Sequence, residues 1–330
     1  MNRQKEKAIK SSQRTQHMGS VADMLEQITA EIGGKVVHLS QPYNARIPPL
    51  VGREAELALL TAAWITSRGS LPLSPLLLGE PGVGKNRLIY EVAGRTAKNL
   101  YIFQGHEDVT AEDLACAVRF SDDPGKKMDY VASPLVTAMH TGGICFIDEI
   151  AKIRPRALAL LISVLDERRY IDSILLGTRV MAHEGFRFVA ATNTADMQSN
   201  ILPEFLRSRM RPIIEVGYSS AEEIAKIVQT RFPNLQDSTK PLLNRFWELW
   251  HSQVSDGHES KPPTPRDIIH LFDLALSHAD FEALGGRPRL YASGYESPME
   301  LTVDQRGHVT PEHLEIAFRE LFRAEAQVKP

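Results

Sequence analysis

Residues 76–86 read LLLGEPGVGKN: a short apolar run ends in a glycine-rich turn, a lysine follows, and a helical pattern begins at once. That order of strand, loop and helix is what a phosphate cradle requires. Gly79, Gly82 and Gly84 can take backbone angles closed to other residues and leave room for a close anion at a helix N-terminus. With Glu80, Pro81, Val83, Lys85 and Asn86 they make up the candidate binding loop, in which Lys85 adds a point charge for the outer phosphates. A glycine turn that merely caps a helix is the alternative. The second group is Asp148 and Glu149, which end the apolar run 144–150, ICFIDEI. Two adjacent carboxylates at the C-terminal end of a buried strand suit a divalent ion, held by Asp148, and a water oriented and deprotonated by Glu149.

These groups need a scaffold, and the chain supplies its pattern. Residues 100–103, 144–150 and 188–191 are apolar runs of strand length, separated by helical spacing. The third run ends at Thr192 and Asn193, so the amide of Asn193 either holds the attacking water or simply turns the chain. Arg207, Arg209 and Arg211 precede a further apolar strand. They are either a solvated rim or, in a ring, a source of charge for the neighbour's phosphate. Beyond Gly217 only helices are expected. Ser220 and Glu223 form a capping box, and Thr264 caps a helix whose first residue is Pro265, which puts Arg266 at its N-terminal end. Thr310 and Pro311 open the last helix.

The remaining segments read less regularly. Val21 to Ile32 spaces Met24, Leu25 and Ile28 as a short helix ended by Gly33 and Gly34. Thr110 and Asp113 cap a helix start, Asp123 opens a turn, residues 157–168 form an amphipathic helix, and residues 170–183 form a hairpin about Gly177. The expected organisation is an N-terminal extension at 1–45, partly flexible, an α/β nucleotide-binding domain at 46–216, and a helical lid at 217–330. The fold class is a P-loop parallel sheet flanked by helices, with an all-helical C-terminal lid.

Composition narrows the function. The 330 residues carry 43% hydrophobic and 24% charged side chains, ordinary for a soluble globular protein. A formal charge of −3, from 38 basic and 41 acidic residues, argues against nucleic-acid binding by bulk positive charge. Five basic residues against Glu6 alone in the first 20 make a solvated tail or an arm for an acidic partner. No run approaches the roughly 18 apolar residues that span a bilayer. Together with only two cysteines, Cys116 and Cys145, this makes a reducing, cytoplasmic setting the expectation. The histidines form no His-Glu-x-x-His pair and no Gly-x-Ser-x-Gly elbow occurs, so Mg2+ is the one metal expected.

In order and spacing, these pieces resemble an AAA+ ATPase over residues 50–276. The loop resembles a Walker A motif, except that Asn86 stands where a Ser or Thr hydroxyl would ligate Mg2+. The stretches PLVTAMHTGG, SVLDERR and LPEFLRSRM are most similar to the MoxR group, near the dynein-related ATPases. That resemblance implies ATP and Mg2+ as ligands, with Val51 and Gly52 beside the adenine and Asp148 and Asn86 at the metal. It makes Glu149, Asn193, Arg209 and Arg266 the catalytic set. It also implies a ring of identical subunits, commonly a hexamer, that remodels a protein partner, often one containing a von Willebrand A domain. Ser-Arg-Met at 208–210, where the group more often has Asp-Arg-Phe, is a second departure. Two further readings stand beside this one: a nucleotide switch with slow or no hydrolysis because of Asn86, and a DNA-acting motor whose positive clue is the basic tail.

Overall fold

The computed structural model describes residues 28–44, 48–65, 70–121, 123–198, 202–235, 238–255, 261–283 and 308–326. Its centre is a parallel sheet of five apolar segments: β1 Leu76–Leu78, β2 Leu100–Gln104, β3 Ile144–Asp148, β4 Arg187–Thr192 and β5 Ile213–Glu215. Their spatial order is β5-β1-β4-β3-β2. Successive side chains point to opposite faces, and both faces are covered, so the middles of these strands are apolar at consecutive positions. Ile144 and Phe146 of β3 join the apolar cluster of Leu88, Ile89 and Val92 from helix Lys85–Thr96. Cys145 and Ile147 join the opposite cluster with Leu135 and Met139 of helix Pro134–Thr141. Because all five strands run the same way, their C-terminal ends meet along one edge, where such sheets bind ligands.

The N-terminal reading needs correcting. Thr29–Ile32 is a strand, not the end of a helix, and pairs antiparallel with Lys35–His38. Gly33 and Gly34, with φ of 60° and 76°, supply the two positive φ values of a tight hairpin turn rather than a helix stop. The hairpin extends a second sheet in the order Thr29–Ile32, Lys35–His38, Met128–Ala132, Cys116–Phe120. Residues 21–27 of the expected helix, and the tail before them, lie outside the described residues.

The expected helix at 157–168 is also interrupted. It consists of Pro155–Leu158, a 3-10 turn Ala159–Leu161 and Ile162–Leu165. Asp166 leaves the helix in extended conformation, and its carboxylate accepts from the backbone and guanidinium of Arg168. The hairpin about Gly177 is present as Tyr170–Ser173 and Thr178–Met181, and the reciprocal cap between Thr110 and Asp113 forms. Both cysteines are buried free thiols, and burial pushes the Cys145 thiol far above its ordinary value.

After β5, helices Ala221–Arg231, Thr239–Ser255, Pro265–Ala283 and Pro311–Ala326 close on an apolar cluster of their own around Phe246, Phe272, Leu271 and Leu314. Full burial of each such side chain contributes about 1.5–3 kcal/mol. Ser220 and Glu223 form their reciprocal cap, as do Thr264 and Asp267. Residues 285–307 read in the sequence as a polar, glycine-containing loop and lie outside the described residues.

Candidate functional site

The edge where the strands end opens into a cavity of about 620 Å³. Gly82 and Gly84, with φ of 85° and 106°, shape the loop that forms its floor. Gly84 caps helix Lys85–Thr96 without any side-chain acceptor, so helix geometry leaves first-turn N–H groups unspoken for by the helix itself. Lys85 is 7% exposed. Its ammonium donates to Gly79 O at 2.7 Å, Glu80 O at 3.0 Å and Asn193 Oδ1 at 3.1 Å. Burial lowers its pKa, the Asp148 carboxylate opposes that shift, and Arg266 reinforces it. Three oxygen acceptors thus ring the ammonium.

Asp148 accepts from Asn86 Nδ2 at 2.7 Å through one oxygen and from the Glu149 N–H at 3.0 Å through the other. Glu149 sits in the left-handed region at φ 53°, which disfavours a residue with a Cβ by about 1–2 kcal/mol. Its Oε2 accepts from Gln104 Nε2 at 3.0 Å and from Lys152 Nζ at 2.7 Å. Asn193 follows β4, the strand next to β3, and lies on the cavity wall with both acids.

The helical part closes the cavity from the other side. Ile227, Ile269, His270 and Arg266 line it opposite Leu50 and Val51. Gly82 has no room for a side chain, because a methyl group there would collide with Thr264 Oγ1 and come within 3.2 Å of Arg266 Cβ. Lys261 pairs with Glu80 at 2.8 Å across the same junction.

Not every expected residue is on the cavity wall. Gly52 packs against Glu223, where a side chain would collide, and Gly79 packs against the Val216 carbonyl. Arg209 does not line the cavity: its Nη1 donates to Phe205 O at 2.7 Å, and its Nε is buried without an acceptor among the described residues. Conversely, several wall residues went unread in the sequence. Arg53 donates to Gly217 O at 2.6 Å, Ser219 Oγ at 3.1 Å and Val83 O at 3.4 Å, tying the loop to the connection between β5 and the helices. Tyr90, one helical turn after Asn86, stacks on Tyr43 with centroids 4.7 Å apart, and burial, then its bond to Tyr43, pushes its hydroxyl up to about 12. The i, i+4 spacing of Asn86 and Tyr90 was the available signal for it.

The residues fit a divalent ion of the Mg2+ type. Asp148 is a hard oxygen donor that the Asn86 side chain meets through its amide nitrogen, and each Asp148 oxygen keeps a lone pair after the bonds described. No cluster of three or more His, Cys, Asp or Glu side chains able to hold a metal occurs among the described residues. An Mg2+ ion is commonly held by one or two carboxylates plus substrate phosphate rather than by a protein cage.

With this geometry in hand, residues 74–210 match the family model described as the AAA domain of the dynein-related subfamily. YojN of Bacillus subtilis is 28% identical over 245 residues, 71% of this chain and 78% of that protein. NorQ of Paracoccus denitrificans is 28% identical over 172 residues, 52% of this chain and 60% of that protein. Among solved structures, a point mutant of RuvB from Thermotoga maritima aligns at a TM-score of 0.50 and 21% identity, over 83% of this chain and 74% of that one. At that identity the likeness shows the fold alone.

Proposed function

Because this chain is an AAA+ protein of the MoxR-like type, we propose that it hydrolyses ATP with Mg2+ at contacts between its own copies and uses the cycle to remodel a protein partner. The observation that carries this reading is the buried Lys85 ammonium, ringed by Gly79 O, Glu80 O and Asn193 Oδ1 beside the Asn86–Asp148 pair. The triphosphate replaces those oxygens around Lys85, and the base lies toward Val51, Ile227 and Ile269. Asp148 would hold Mg2+, joined by the Asn86 carbonyl once the amide now donating to Asp148 turns over, and the ion would neutralise charge on the outer phosphates. Glu149 takes a proton from the attacking water as the bond between the β- and γ-phosphates breaks, giving ADP and phosphate. Asn193 positions that water, and Arg266 moves with the helical part, residues 217–330, which acts as the lid.

The ring, taken to be a hexamer, is supported by the position of Arg209 away from its own subunit's cavity. A protein partner bearing a von Willebrand A domain follows from the family likeness. A cytoplasmic location accords with two free cysteines and with the fact that no helix among the described residues is long and apolar enough to cross a membrane. The formal charge of −3 weighs against DNA as the substrate.

A single residue separates an enzyme from a switch. Asn86 donates to Asp148 where a shorter hydroxyl would leave more room for the ion. Asn86→Thr is expected to change steady-state ATP turnover by less than about threefold if the amide already serves as a metal ligand, under 1 kcal/mol on the barrier. A gain of tenfold or more, measured at saturating ATP and Mg2+, turns the reading to a nucleotide-controlled scaffold. Failure of the native protein to bind labelled adenine nucleotide in the presence of Mg2+ ends both.

Nucleotide binding itself is tested at Gly82. Gly82→Ala puts a methyl group against Thr264 in a backbone conformation unsuited to L residues. It is expected to weaken binding of a fluorescent ATP analogue by about tenfold or more, roughly 1.4 kcal/mol. Gly94→Ala, in the open on the adjoining helix, is the control: its methyl meets nothing within 4 Å and binding stays as in the parent.

A further inference from the structure

The phosphate-binding loop carries a carboxylate of its own. The backbone oxygen of Glu80 accepts from Lys85 Nζ at 3.0 Å, which makes the residue part of the cavity floor. Its side chain does not line the cavity and is 22% exposed. The charge is felt at the site all the same: burial lowers the Lys85 pKa, and Glu80, after Asp148, is among the acids that oppose that shift. A carboxylate within reach of a polyphosphate repels it unless a cation cancels the charge.

That cation comes from the helical part. Lys261 Nζ donates to Glu80 Oε2 at 2.8 Å from 181 positions along the chain, so the bond exists only while the helical part lies against the loop. Lys261 does not line the cavity either. A stiff run presents it: Pro262 and Pro263 follow, each fixing its own φ and holding the residue before it extended. Next comes Thr264, which caps helix Pro265–Ala283 with Asp267 and stands against Gly82. Tyr218 lies beside the pair and adds no charge, since its hydroxyl pKa is raised, first by burial and then by Glu80. With its side chain 74% exposed, Lys261 is open to screening by salt.

We infer that Lys261 is a positioning residue that acts through Glu80: with the helical part closed, it cancels the carboxylate in the loop and so raises the affinity of the cavity for a polyphosphate that it does not touch. By linkage, a bound polyphosphate favours the closed position to the same degree. This rests on the nucleotide binding proposed for the site. In the full-length protein at low salt, Lys261→Met is expected to weaken binding of a fluorescent ATP analogue about threefold to fivefold, the upper end of what an exposed ion pair supports. The change sits in affinity, with kcat for ATP within about twofold of the parent. Lys261→Arg, which keeps the charge, binds as the parent does. Glu80→Gln keeps the backbone oxygen that Lys85 meets; combined with Lys261→Met it restores parental affinity, because no loop charge is left to cancel. Measured against the parent at about 1 M salt, where the screening length falls to about 3 Å, the Lys261→Met deficit disappears. A deficit that persists in the double variant or at high salt, or parental affinity in Lys261→Met at low salt, overturns the inference while nucleotide binding stands. Failure of the parent to bind the analogue removes the nucleotide reading and this inference together.

Discussion

Glu149→Gln is expected to lower steady-state ATP turnover by about 10²–10⁴-fold, the range for removing a positioned general base, while ATP affinity stays within about threefold of the parent, under 1 kcal/mol. The amide keeps the size and shape of the carboxylate, so its contact with Gln104 survives in altered polarity and the loop around Lys85 is untouched. What is lost is the proton acceptor and the ion pair with Lys152. An ion pair this exposed contributes about 0–1 kcal/mol to stability, so the melting temperature should move by only a few degrees, about what such a change produces in a domain of this size. Turnover equal to the parent's in a melted-and-checked variant would remove Glu149 from the chemistry. The left-handed backbone at Glu149 is in keeping with this: a conformation disfavoured by about 1–2 kcal/mol persists at the residue that follows β3 on the cavity wall.

The groups that were legible in the sequence are those whose signal is local. A parallel strand buried on both faces is an uninterrupted apolar run, and the residues just past it fall at the ligand-binding edge whatever the rest of the chain does. That is why Gly82, Lys85, Asp148, Glu149 and Asn193 were found from sequence and stand around one cavity. Gln104 and Lys152 were missed for the opposite reason. Gln104 reaches Glu149 only because β2 lies beside β3 with Gln104 in register with Asp148. Lys152 reaches it only because a single 3-10 turn follows the strand. Arg53 likewise joins Val83 to Gly217, residues remote in sequence. The misread N-terminal helix shows the limit of glycine as punctuation. Gly33 and Gly34 end a helix or turn a hairpin equally well, and the partner that decides, Met128–Ala132, lies far along the chain. At 157–168 the apolar spacing was right but the extent was not: a 3-10 turn interrupts it at Ala159–Leu161, and it stops at Leu165, where the side chain of Asp166 bonds the backbone two residues on and competes with a further helical turn.

Arg209→Ala is expected to reduce turnover by about 10³-fold or more, the scale of an arginine finger, with nucleotide affinity largely retained. The geometry forces the choice between two roles. Within its own subunit Arg209 is bonded to the Phe205 carbonyl and does not line the cavity, so in the proposed ring its catalytic contribution comes across a subunit contact. The decisive measurement therefore mixes two inactive proteins. Arg209→Ala subunits keep Glu149, and Glu149→Gln subunits keep Arg209. Randomly assembled from equal amounts, about one interface in four combines both intact groups in a closed ring of head-to-tail contacts. The mixture should recover up to roughly that fraction of parental turnover, from parents that each show almost none, and recovery should require assembly, disappearing at dilutions where the particle mass falls to that of a single chain. If the mixture stays inactive although both variants bind ATP and co-assemble, Arg209 acts within its own subunit by supporting the fold, through its bond to the Phe205 carbonyl and its charge near Asp166.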